Sequence, residues 1–169
     1  LPGIVSVLAG AQEVVISDYP SPEILANIEI NCTKNISPHS QGRVCVAGHE
    51  WGKVDDEFSK MNAHRFTRIL TADCLWMEAE HQNLVTSMLH FLSQDDEHAQ
   101  VWVVAGFHTG RAALASFFEV AHDSGLDVKR IWERDIQGNE REWVKEPQRR
   151  PEDITTKKKW LAVAILGRK

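Results

Sequence analysis

Residues 1–20, LPGIVSVLAGAQEVVISDYP, read as a helix followed by a strand, and this pair decides the fold. Gly3 to Ala9 is an almost wholly apolar helix, Gly10-Ala11 breaks it, and Glu13 to Ser17 is a strand closed by Asp18. In a nucleotide-binding α/β unit this is the second half of strand–loop–helix–strand. The acidic residue that ends the second strand is then placed to bond a ribose. The first strand and its glycine-rich loop are expected just before Leu1, where the chain starts without Met. The reading is a single domain over residues 1–169, truncated at its N-terminal side.

Outward from this pair, helix and strand alternate. Tyr19-Pro20-Ser21-Pro22 turns into a helix from about Glu23, where Pro22 suits a first-turn position, and Ile24, Ile28 and Cys32 recur at helical spacing with Leu25 widening the stripe. Arg43 to Ala47 is a short strand ending in Gly48, Glu50 to His64 is a polar loop, and Phe66 to Ala72 is a strand that stops at Asp73. Gln82 to Leu92 is a helix with Leu84, Val85, Met88, Leu89 and Leu92 on one side. Gln100 to Ala105 is continuously apolar enough for burial on both faces. Arg111 to Ser124 is a helix with Gly125 as its C-cap. Val128 to Glu133 and Lys159 to Leu166 close the chain as strands. The polar stretch between them, with Gly138-Asn139 and Glu146 to Pro151, is an exposed excursion. Alternation of this kind gives a mostly parallel sheet covered by helices. The two last strands lack a helical connection, so they form an antiparallel pair at one edge.

Composition bounds the function. The chain has 169 residues, 43% of them hydrophobic, enough for one domain with a real core. A net charge of -5 gives no electrostatic footprint for nucleic acid. Cys32, Cys45 and Cys74 are too few and too widely spaced for a disulfide framework or a zinc site, and read as reduced, buried thiols. The eight histidines lack metal-ligand spacing, and His49-Glu50 is not the start of HExxH because Lys53 stands at the second His position. No apolar run approaches the roughly 20 residues that span a bilayer. A cytoplasmic monomer without metal, membrane or nucleic-acid partner is the expectation.

Ligands of such sheets bind at the carboxyl ends of the strands. The residues there are Asp18 and Tyr19, then Gly48 to Gly52, Asp73 to Trp76, and Gly106 to Arg111. The Asp18 carboxylate can accept hydrogen bonds from a ribose diol, or it simply forms a turn ahead of a helix. Trp51 can lie against an adenine or fill the core. Asp73 can accept a hydrogen bond from a substrate amine, and Trp76 can wall a pocket for a cationic or flat substrate; the plainer alternatives are a helix cap and a core Trp. His108-Thr109-Gly110-Arg111 opens a helix that Thr109 can cap, and His108 and Arg111 can shape the substrate side.

These residues, in order, are similar to a known family. The matching positions are Leu1-Pro2-Gly3, Asp18-Tyr19-Pro20-Ser21-Pro22, Asn27-Ile28 with Asn31, Gly48 with Trp51-Gly52, and Asp73-Cys74-Leu75-Trp76. They continue through His81 with Leu84, Phe107-His108-Thr109-Gly110-Arg111, Glu140-Arg141-Glu142-Trp143 and Trp160 to Leu166. Over essentially its whole length the chain resembles fungal members of methyltransferase family 16, S-adenosylmethionine-dependent enzymes described as nicotinamide N-methyltransferase-like. Protein-lysine methyltransferases look like close relatives. The resemblance implies a Rossmann-like class I methyltransferase sheet with an antiparallel C-terminal pair and, here, its first strand missing. It implies S-adenosyl-L-methionine as cofactor, bound by Gly3, Asp18, Tyr19, Trp51 and Asp73. It implies catalysis by Asp73 and Trp76, with Trp76, His108 and Arg111 against the substrate. Trp76 stands where lysine-modifying members carry Tyr, which bears on the acceptor, and the family's GAGxG-like motif is absent from these residues.

The implied reaction is transfer of a methyl group to an amine nitrogen of a small molecule or a protein. One competing reading is an NAD-dependent oxidoreductase, since Asp18 alone does not separate the cofactors; the antiparallel terminal pair and the segment Asp73 to Trp76 argue against it. Another is a non-catalytic remnant or interaction module. Without the first strand, the strands flanking its place lose hydrogen-bond partners at roughly 1–3 kcal/mol per unsatisfied group, so these residues alone are expected to bind cofactor weakly or fold poorly.

Overall fold

The computed structural model describes residues 1–145 and 159–169, which divide into two compact units, Leu1–Lys60 and Met61–Lys169. The expected polar stretch Glu146 to Pro151 lies outside the described residues.

The first unit holds α1 (Pro2–Leu8), β1 (Val14–Asp18), α2 (Pro22–Asn35), α3 (Pro38–Gln41), β2 (Val44–Gly48) and all but the last residue of α4 (Glu57–Met61). β1 and β2 pair in parallel, from Val14 opposite Val44 to Asp18 opposite Gly48, so both carboxyl ends emerge side by side. Ile4 and Val7 of α1 and Cys32 of α2 pack with Ile36 against Val14, Ile16, Val44 and Val46. Pro22 takes the first turn of α2 as the sequence implies, because its missing N–H is one that a helix start leaves unpaired anyway. The loop expected over Glu50 to His64 contains α4. The Asp56 carboxylate accepts the backbone N–H of Ser59 at 2.7 Å, an N-cap that makes so short and polar a helix possible.

The second unit runs β3 (Arg68–Ala72), a 3₁₀ turn (Glu78–Glu80), α5 (His81–Phe91), β4 (Gln100–Gly106), α6 (Arg111–Ser124), β5 (Leu126–Asp135), β6 (Glu140–Glu142) and β7 (Trp160–Arg168). Its sheet has the order β3-β4-β7-β5-β6. β3 and β4 are parallel, while β7 runs antiparallel to both β4 and β5. The expected antiparallel closing pair is therefore present, but β7 lies inside the sheet and the unforeseen β6 forms the edge. Because β7 opposes both neighbours, β3, β4 and β5 all point the same way. Asp73, Gly106 and Asp135 thus end up along one edge of this sheet.

β4 corrects the expectation of burial on both faces. Val101, Val103 and Ala105 are buried, while Gln100, Trp102, Val104 and Gly106 alternate with them as half-buried residues. Leu84, Val85 and Met88 of α5 and Leu114, Phe117 and Ala121 of α6 supply the buried core of the helices. Gly125 ends α6 at φ 110°, as the C-cap reading requires. Arg168 reaches the carbonyls of Leu89 and Leu92 at the end of α5, and burial lowers its pKa. The thiols depart from expectation: none of the three is in a disulfide, yet only Cys32 is buried, with its pKa raised by that burial, and Cys45 on β2 is exposed.

Phe117 is fully buried with its ring 5.5 Å from that of His81. Phe117→Ala is expected to lower stability by about 3–5 kcal/mol, read as a shift of the denaturant midpoint. At the β5–β6 turn, the Asn139 side-chain amide donates to Asp135 at 2.8 Å and holds that carboxyl below the usual carboxylate range, as do the backbone amides of residues 137–139. Asn139→Ala should bring the Asp135 pKa back up toward its ordinary value, as followed by carboxyl-carbon NMR. The turn loses this stabilisation as pH falls through the depressed pKa, and keeps it at neutral pH.

Candidate functional site

Each unit presents its own set of side chains at the carboxyl ends of its parallel strands. In the first, Asp18 is exposed at the last position of β1, where one carboxylate oxygen accepts the backbone N–H of Tyr19 at 2.8 Å. The Asp18 carbonyl accepts the N–H of His49 at 2.8 Å, which ties the ends of β1 and β2 together. Asp18 is thereby fixed in direction, with its second oxygen unpartnered among the described residues. Tyr19 is 59% exposed, and Trp51 sits half-buried in the turn after β2. His49 is buried with Nδ1 3.5 Å from the Ser59 hydroxyl.

Gly3 lies at a close packing contact. A Cβ on it would lie 2.5 Å from Cγ1 of Ile16, so the missing side chain is what lets α1 lie directly on β1. This is the close helix–strand approach for which dinucleotide-binding folds use the third glycine of their fingerprint.

In the second unit, Asp73 follows β3 with φ 57°, a left-handed conformation that a non-glycine residue adopts at a cost of roughly 1–3 kcal/mol. Its backbone N–H donates to the Val104 carbonyl at 2.7 Å. Its Oδ1 accepts the Gly106 N–H at 3.3 Å and lies 3.8 Å from Nε2 of His108. Asp73 and His108 are thus brought together, both more than half exposed. The next three residues separate sharply: Leu75 is buried at 1% exposure while Trp76 is 53% exposed. His81, also buried, has Nε2 3.0 Å from the Leu75 carbonyl; since a carbonyl only accepts, that nitrogen carries the proton. Leu75 and His81 together anchor a turn that leaves Asp73 and Trp76 at the surface.

Arg111 is not a free substrate contact. It is 8% exposed, and its guanidinium is engaged by Glu133: Nη1 at 2.5 Å from Oε1 and Nη2 at 3.1 Å from Oε2. Nη1 also donates to the Val144 carbonyl at 2.9 Å. The guanidinium carbon lies 4.3 Å from the Phe107 ring centroid and 5.4 Å from that of Trp143, whose rings stack at 16°. Glu133 is completely buried and receives a second guanidinium, with Arg141 Nε at 2.7 Å and Nη2 at 2.6 Å from Oε2. Thr109 does not cap α6; the cap position is Gly110, at φ 94°. The sequence places Glu133 at a strand end and Trp143 among the resembling positions, but assigns neither to the site. The available signal was an acidic residue next to the apolar pair Ile131-Trp132, followed within ten residues by arginine and tryptophan. Among the described residues, no group of three or more His, Cys, Asp or Glu is arranged to hold a metal ion.

Comparison with known proteins gives these positions a context. A family model described as lysine methyltransferase matches residues 1–124. The protein N-terminal and lysine N-methyltransferase efm7 of Aspergillus fumigatus is 28% identical over 140 residues, covering 79% of this chain and 54% of that protein. Its namesake from Gibberella zeae is 27% identical over 151 residues, covering 79% and 56%. The chain spans about half the length of these curated relatives. Among solved structures, the TehB-like SAM-dependent methyltransferase from Corynebacterium glutamicum matches with a TM-score of 0.63 at 15% identity, covering 99% of this chain and 73% of that one. That likeness establishes the Rossmann-like methyltransferase fold.

The strain at Asp73 has a measurable consequence. Asp73→Gly removes the left-handed penalty, so the variant is expected to match or exceed the parent in thermal stability, by up to about 1 kcal/mol. A clear fall in Tm would show instead that the carboxylate contributes more to stability than the backbone strain costs.

Proposed function

The chain belongs to the lysine methyltransferase family, and from that premise we propose that it serves as an S-adenosylmethionine-dependent methyltransferase acting on an amine nitrogen. The observation that carries the reading is Asp73, an exposed carboxylate kept in a strained backbone conformation at a strand end, with the exposed Trp76 three residues on. Strain of this kind persists where function requires a particular geometry. We propose further that residues 1–169 act as one methyltransferase domain, since a single family model runs through both compact units.

The residues present fit the cofactor. A ribose presents two vicinal hydroxyls, and Asp18 offers a carboxylate oriented by the Tyr19 N–H with an oxygen available to accept them. Trp51, in the turn after β2, has a ring suited to lie by the adenine. Tyr19 lies beside Asp18, and Gly3 contributes indirectly, by seating α1 on β1. When bound, the cofactor supplies a methyl group already activated for transfer.

What the chain does is then binding and alignment. An alkyl amine with an ordinary pKa of about 10.4 arrives protonated, and its lone pair is usable only once that proton leaves. Asp73 attracts the cation, orients the nitrogen and accepts its hydrogen bond or its proton. The Trp76 face flanks the same cation. His108 stands beside Asp73 on the substrate side. The names of the fungal relatives favour a protein amine, terminal or lysine, over a small-molecule amine as acceptor. A cytoplasmic location is part of this proposal. Among the described residues no helix is long and apolar enough to cross a membrane.

The test is equilibrium binding of S-adenosylhomocysteine to the full-length protein. Asp18→Ala should weaken it roughly ten- to hundredfold, the effect of losing about 1.5–3 kcal/mol of hydrogen bonding to a charged group. NAD should fail to compete. Undiminished affinity in the variant overturns the ribose assignment.

A further inference from the structure

The cluster of the buried Arg111 and Glu133 with the half-buried Arg141 has no part in the chemistry proposed above, yet one of its members ends the turn that touches Asp73. Residues 106–111 are a single short connection from β4 to α6, closed by the Gly110 N–H donating to the Phe107 carbonyl at 3.1 Å. At one end, the Gly106 N–H and the His108 ring meet Oδ1 of Asp73. The ring lies so close over Gly106 that a Cβ there would sit 3.0 Å from His108 Nδ1. At the other end, Arg111 is held in direction by a two-pronged ion pair to Glu133 and by the Val144 carbonyl. Phe107, itself 5% exposed, has its ring stacked on that of Trp143, and the guanidinium lies against both rings.

We propose that the Arg111–Glu133–Arg141 cluster is a positioning device for Asp73. It fixes the turn from Phe107 to Arg111, and through that turn the Gly106 amide and His108 imidazole that hold the carboxylate. Three physical features support this. Glu133 is anchored on β5, inside the sheet, so the turn is referenced to a rigid element. A planar guanidinium paired to both carboxylate oxygens fixes orientation as well as distance, which a single contact does not. The aromatic cover excludes water from the pair, so the arrangement is not one of several exchanging surface contacts. Arg141 serves the same carboxylate and packs 4.1 Å over the Trp160 ring, joining the edge strand β6 and the start of β7 to the device. Arg111 and Glu133 are accordingly positioning residues, acting through the turn. The inference rests on the reading of Asp73 given above, but its test is independent of activity.

The measurement is the amide proton of Gly106 in full-length protein labelled with 15N-glycine, assigned through Asp73→Ala, which removes its acceptor. In Arg111→Lys, which retains the charge but not the two-pronged geometry, the Gly106 resonance should move most of the way to its Asp73→Ala position. Affinity for S-adenosylhomocysteine should be unchanged. Phe107→Leu, which keeps the ion pair and a buried apolar side chain, provides the second variant should Arg111→Lys fail to fold, and should move the resonance in the same direction. A lowered Tm with Gly106 at its parental position in a folded variant overturns the inference, since the cluster would then be structural only. Failure of cofactor binding in the parent would overturn the proposed activity and leave this measurement readable.

Discussion

A carboxylate completely removed from water, that of Glu133, receives two guanidinium groups, and the carboxyl-end edge of the second unit is organised around it. Removing one side of a buried pair leaves an uncompensated charge and typically costs about 3–5 kcal/mol, although the intact pair need not add net stability over well-packed apolar side chains. Geometry is what the pair provides here. It brings α6, β5 and β6 into one register at the edge where the strands β3, β4 and β5 end.

On that edge the backbone itself carries strain. Asp73 occupies a left-handed conformation although glycine would do so at lower cost, and its neighbours make the conformation persist. Leu75 is driven into the core by its apolar surface, and His81 donates to its carbonyl from within. The Val104 carbonyl and the Gly106 amide hold Asp73 from the adjoining strand. Hydrophobic burial two residues away thus determines where a charged side chain stands. Trp76, next to Leu75 in sequence, points the other way for the same reason.

Much of the fold was legible in the sequence because periodicity reports directly on burial. The helices at Pro2, Pro22, His81 and Arg111 and the strands ending at Asp18, Gly48, Ala72 and Gly106 fall where apolar spacing, proline and glycine put them. Two kinds of feature were not legible. The first is short elements stabilised by side-chain hydrogen bonds or pairing: α4 depends on Asp56, and β6 on pairing with β5, neither of which leaves an apolar pattern. The second is the difference between a polar residue at a ligand edge and one consumed internally. Arg111 and His108 look equivalent in sequence, yet one is buried against Glu133, a residue 22 positions away, while the other is exposed beside Asp73. Continuous hydrophobicity likewise overstated β4, whose second face is only half covered. Gly3 shows that a motif position can matter for packing.

The chemistry we propose from family membership, fold and strand-end side chains is the delivery of a methyl group to an amine held by Asp73. The most direct measurement is mass spectrometry of a lysine-containing peptide with a free N-terminus after incubation with S-adenosylmethionine and full-length protein. Nicotinamide serves as the small-molecule comparison, and an Asp73→Asn variant as the control. The account predicts added methyl groups confined to amine nitrogen, with transfer lost in the variant. Absence of transfer to every amine by a protein that binds S-adenosylhomocysteine, or transfer undiminished in Asp73→Asn, would contradict it.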